Sequence, residues 1–146
     1  MWLGVCVLCM QVLQAPPLAV VVRSEGGINP SEEKVTFFQD GRLLLESWSL
    51  AQRDKRQSSG RLDPQQFLTL ESLLAKAQKA NWPPTLNQAR GAQVAFSVTL
   101  TWWWQGKETS TTGYTFGEPP LPEDFGKLTQ ELFALAAKAM NLSPPR

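Results

Sequence analysis

Serine and threonine hydroxyls are plentiful along this chain, but a hydroxyl attacks only when a base takes its proton. The usual base is histidine, and the 146 residues include none. That absence removes the Ser-His and Cys-His pairs, the commonest general base and the commonest zinc ligand together. A Ser-Lys pair needs a buried lysine, whereas the lysines here fall in turns or on polar helix faces. Adjacent carboxylates stand at Glu32-Glu33 and Glu123-Asp124. Glycoside hydrolysis needs two carboxylates across one cleft; these neighbours read instead as a solvated loop and the first turn of a helix. Cys6-x-x-Cys9 has redox or metal spacing, yet no further Cys or His completes a four-ligand zinc set. It reads as two small residues in an apolar leader. Gly26-Gly27 lacks the Lys-Ser/Thr of a P-loop and the spacing of a dinucleotide fingerprint, so it reads as a tight turn. The expectation is a protein without catalytic residues, metal or cofactor: not an enzyme.

The residues suited to binding are few. In Trp102-Trp103-Trp104, strand alternation sends Trp102 and Trp104 to one face and Trp103 to the other. Trp103 then either anchors a partner, since a Trp covers much area with few rotors, or simply covers an open sheet face.

Composition narrows the partner. Fourteen basic and thirteen acidic residues give a net charge of +1. Nucleic-acid binding normally requires a basic excess or stripe, which is absent, so no nucleic-acid partner is expected. Trp2–Met10 is an apolar run continued to Leu13, too short for the roughly 20 residues of a membrane span. It fits the apolar core of a signal peptide, with Leu13-Gln14-Ala15 as the cleavage region, although no Lys or Arg precedes it. Residues 1–15 are therefore read as a leader and 16–146 as one domain. If 1–15 is a signal the protein is secreted or periplasmic; otherwise it is cytoplasmic.

The elements that must position these residues follow from periodicity. Leu18–Arg23 is β-branched and reads as a strand. Lys34–Gln39 and Arg42–Leu50 form a hairpin about Asp40-Gly41, a dipeptide that favours a type I′ turn. Residues 51–60 are polar and read as an exposed loop. Asp63 caps a helix with Pro64 at its first position, running to about Ala80 with Phe67, Leu70, Leu74 and Ala77 on one face. Val94–Trp104 alternates strictly, and Glu108–Phe116 is its Thr-rich partner. A last helix starts near Glu123 and carries Phe125, Leu128, Leu132, Leu135 and Ala139. The expected fold is α+β: a single antiparallel sheet of four to five strands, in β-ββ-α-ββ-α order, with two helices packed on one face and the other face open.

Val20-Val21-Val22-Arg23-Ser24-Glu25-Gly26-Gly27, the Asp40-Gly41 turn, Gly60-Arg61-Leu62 before a Leu-rich helix ending at Trp82, Phe96-Ser97-Val98-Thr99-Leu100, and Pro122 before the last helix come in the order found in emfourin-like domains. The chain resembles that family over residues 18–140. Emfourins are small bacterial proteins that include inhibitors of thermolysin-type metalloproteases such as protealysin. The chain departs from the pattern where Glu25 is inserted and where Ile28-Asn29-Pro30 follows the glycines. The resemblance implies a secreted metalloprotease as partner, bound by shape and main-chain contacts, with Arg23, Gly26 and Gly27 as contact residues and Trp103 as an anchor. The alternative is a secreted structural or interaction module whose open sheet face, with Trp103 and Thr109–Thr112, recognises a protein or glycan.

Overall fold

The computed structural model describes residues 15–91 and 95–141. Cys6, Cys9 and the leader through Gln14 lie outside them, as does Val94 at the expected start of the alternating strand. Eight elements follow one another: β1 (Pro17–Glu25), β2 (Ser31–Phe38), β3 (Arg42–Ser49), β4 (Lys55–Arg61), α1 (Pro64–Ala80), β5 (Ser97–Trp104), β6 (Lys107–Tyr114) and α2 (Glu123–Ala139). The strands form one antiparallel sheet in the order β4-β3-β2-β1-β5-β6. The α+β class with one antiparallel sheet and two helices is as expected.

The sheet has six strands rather than four to five, because β4 occupies the segment read as a loop. Its sequence, Lys-Arg-Gln-Ser-Ser-Gly-Arg, has no apolar residue to alternate. An edge strand needs little of its own core. Gly60 suffices: it sits under the C-terminal end of α2, where an added Cβ would come within 3.1 Å of Met140. The β2–β3 turn also differs from the expected type I′. That turn requires positive φ at both central residues. Here only Gly41 is left-handed (φ 88°), and its N–H donates to the Phe38 carbonyl at 3.1 Å. The chain thus makes a type I turn closed by a glycine bulge. Asp40 accepts from the Arg42 backbone N–H and guanidinium, and that backbone bond leads in holding its carboxyl below the usual range. The type I′ form appears instead at Gln105-Gly106, both left-handed, between β5 and β6.

One face of the sheet carries the core. Ala19, Val21, Val35, Phe37, Leu43, Leu100 and Trp102 are buried against Leu70, Leu73, Leu74 and Ala77 of α1 and Phe125, Leu128, Leu132 and Leu135 of α2. Phe67, expected on the α1 stripe, is half-buried beside Gly41, and Leu73 takes a core place. The helices cross the sheet in opposite directions. α1 starts beside the β2–β3 turn and brings Gln78 to Trp102, while α2 starts with Phe125 against Gly113 of β6 and ends at Gly60 of β4.

Asp63 caps α1 as expected and does more. Its carboxylate accepts from the Gln66 N–H at 2.7 Å, while the Gln66 side chain accepts from the Asp63 N–H at 3.0 Å. This reciprocal box satisfies two backbone donors that the first turn leaves unpaired. Asp63→Ala is expected to cost about 1 kcal/mol, read as a Tm lower by about 4 °C.

Candidate functional site

The strands end together in two rims. One rim holds the β1–β2 loop (26–30), the β3–β4 loop (50–54), the approach to β5 and the exit of β6. Gly26 and Gly27 lie there and serve different purposes. Gly27 is left-handed (φ 94°), a conformation that L side chains rarely adopt. Gly26 has ordinary φ but no room: an added Cβ would stand 2.4 Å from that of Ala95. The loop is further tied down by its neighbour. The Asn29 side-chain oxygen accepts from the Ala51 N–H, and the Pro30 carbonyl accepts from the Leu50 N–H, both at 3.0 Å.

This packing leaves Ile28 projecting from a fastened loop, 100% exposed. The same rim exposes Leu50, Phe116 and, in part, Trp48, with Phe96 edge-on to Phe116 at 5.0 Å. A recess of about 570 Å³ opens beside the loop, lined among others by Gly26, Pro30, Glu32, Trp48 and Lys55. Single exposed apolar residues are ordinary; several at one end, next to a recess, make this rim the candidate site.

Arg23 is on the same half of the sheet but is not directed outward. It lies in register with Glu33 and Val98, on the helix-bearing face. Its guanidinium pairs with Glu33 and lies over the Phe133 ring of α2 at 4.6 Å. It fastens the end of β1 to β2 and α2, which holds the Gly26-Gly27 loop in place.

Trp103 is not brought to this rim. It stands opposite Glu108 near the other end of β5, and from Ser97 to Trp103 a strand extends about 20 Å. It is half-buried and lines a second recess of about 480 Å³ with Leu18, Gln39, Phe67 and Glu71. Trp102, its neighbour, is core as expected, and Trp104 packs partly against the core.

The helix-free face between the two rims sets Val20, Val22 and Leu44 among threonines whose hydroxyls are partly paired. The Thr99 and Thr112 hydroxyls bond to each other at 2.9 Å, and those of Thr101 and Ser110 at 3.0 Å. Among the described residues no three His, Cys, Asp or Glu side chains gather to hold a metal ion, and no helix is long and apolar enough to cross a membrane.

Two residues of consequence escaped sequence reading. The signal for Ile28 is a large aliphatic residue set among Gly-Gly and Asn-Pro breakers. Asn87 is buried and braces the exit of β6 through bonds to Tyr114 and Pro119, with no local pattern to mark it. Comparison with known proteins adds no relative: no family model matches the chain, and no curated protein matches it significantly.

Proposed function

We propose that this chain is a non-enzymatic binding protein that engages a partner protein through the β1–β2 loop rim, and that the partner is a thermolysin-type metalloprotease, inhibited in the manner of emfourins. The metalloprotease as partner rests on the resemblance of residues 18–140 to emfourin-like domains. What supports the loop as the contact surface is Ile28, a fully exposed aliphatic side chain on a loop fastened by Gly26 packing, Asn29 and Arg23. Preorganised loops bind well because little entropy is lost on association. Leu50, Trp48 and Phe116 supply the apolar ground around it, and Gly26-Gly27 lets a partner's backbone come close. In this role the protein does no chemistry; it occupies a surface. The alternative, recognition by the helix-free face, meets hydroxyls already bonded to one another.

The test is inhibition of such a protease by purified variants. Ile28→Asp is expected to weaken inhibition at least about 30-fold, the loss typical of an interface hot spot. Its folding stability should stay within about 0.5 kcal/mol, because the side chain touches little else. Trp103→Ala, at the far rim, should inhibit like the parent protein. Equal inhibition by Ile28→Asp and the parent removes the loop from the account.

A further inference from the structure

The two edges of the sheet are treated differently. On β6 the phase is set by the Thr115 N–H donating to the Phe96 carbonyl at 2.8 Å, so the main chains of Glu108, Ser110, Thr112 and Tyr114 point away from β5. Half of that edge is closed by the chain itself. Thr112 exchanges bonds with Pro84 and Leu86, and Tyr114 with the Asn87 side chain.

On β4 the Leu62 N–H donates to the Gly41 carbonyl at 2.8 Å, which fixes the phase with β3. The pairs Leu43–Gly60, Leu45–Ser58 and Ser47–Arg56 therefore face inward, and the main chains of Lys55, Gln57, Ser59 and Arg61 face outward. Among the described residues no backbone group covers them. The cations on and beside this edge are also largely uncommitted. Arg53, Lys55 and Arg56 make no ion pair among the described residues; Arg61 donates to the Asp40 carbonyl, and its charge helps hold the Asp40 carboxyl low. Glu46 of β3, which stands opposite Gln57, is turned to Lys34 at 4.0 Å.

A second copy of the chain is a poor occupant. The two-fold pairing that uses all four outward main chains sets Lys55 opposite Arg61 twice, and like charges directly opposite are unfavourable. Basic residues on an edge strand guard against self-pairing in this way. They do not guard against a partner of opposite charge.

We propose that the β4 edge accepts an extended acidic segment of a partner protein as a seventh strand, main chain to main chain with Lys55, Gln57, Ser59 and Arg61. The inference is independent of the Ile28 rim. Such strand addition draws affinity from backbone bonds and specificity from side chains in register. An antiparallel segment matches the edge when acids stand opposite Arg61, Arg56 and Lys55, as in the capped peptide Glu-Thr-Val-Thr-Val-Glu-Glu.

The experiment titrates the intact protein with that peptide and with its counterpart carrying Lys in place of Glu, following amide resonances and hydrogen exchange. The acidic peptide should shift and protect the amides of Lys55, Gln57 and Ser59, and the basic one should not. Gln57→Pro removes one outward N–H that β3 does not use, a substitution edge strands tolerate; binding should fall about tenfold or more. The pair Lys55→Glu and Arg56→Glu should lose the acidic peptide even if Gln57→Pro fails to fold. Equal binding of the two peptides, protection elsewhere on the sheet, or a β4-paired dimer in the free protein overturns the proposal.

Discussion

Trp102→Ala is expected to remove about 3–5 kcal/mol of stability, a large part of what a domain of this size possesses. Trp102 is 1% exposed, and its indole N–H donates to Gln78 at 3.0 Å. Trp82 stands edge-on to it at 6.4 Å and edge-on to Phe125 at 5.2 Å, so one ring joins β5 to the link after α1 and to α2. Truncation leaves a cavity that neighbours on three elements cannot all collapse to fill. Chemical denaturation should therefore show a much lower midpoint with an unchanged slope. The control is one residue away. Trp103→Ala, on the opposite face and half-buried, should cost less than about 1.5 kcal/mol. Comparable losses would mean that the face assignment of the three tryptophans is wrong.

Asn87→Ala is expected to cost about 3 kcal/mol, because it strands several buried polar groups at once. The Asn87 amide accepts from the Tyr114 N–H at 2.7 Å and donates to the carbonyls of Tyr114 and Pro119 at 2.9 and 3.0 Å. A short side chain thus completes the sheet where β6 leaves it. Gly117 fits against the same amide, since an added Cβ would meet its nitrogen at 2.6 Å. The substitution Asn87→Asp separates bonding from packing. The introduced carboxylate keeps the acceptor for Tyr114 but faces two carbonyls, so its ionised form is disfavoured in the folded state and its folded pKa is raised. Stability then increases as pH falls through that pKa, towards the ordinary carboxylate value of about 4. Denaturation of Asn87→Asp between neutral pH and pH 4, against the parent, checks both sign and window; a deficit that grows on acidification would contradict the bonding scheme.

What could be read from the residues depended on how far away the deciding partners lie. The alternation of Val98, Leu100, Trp102 and Trp104 is legible because one face of β5 is buried and the other is not. Asp63-Pro64 is legible because a cap acts within its own turn. β4 was not, because an edge strand of Lys, Arg, Gln and Ser holds its place through pairing with β3 rather than through burial of its own side chains. Nothing local to Arg23 shows that Glu33 and Phe133 converge on it. Asn87 finds its partners 27 and 32 residues along the chain. Gly26 and Gly27 stand out in the sequence as a turn, whereas Ile28 does not, because its exposure depends on loops that fold beside it. Trp103, grouped with the glycines at first, belongs to the far rim.

In the proposed role the β1–β2 loop rim holds a protease without being turned over. The most direct test of this role is a titration of a thermolysin-type metalloprotease with the intact protein, following enzyme activity and the mass of the added chain in the same samples. Activity falling in proportion to added protein, with the chain remaining one uncut mass, is the predicted result. Undiminished activity together with cleavage of the chain, above all between Gly26 and Pro30, would contradict it.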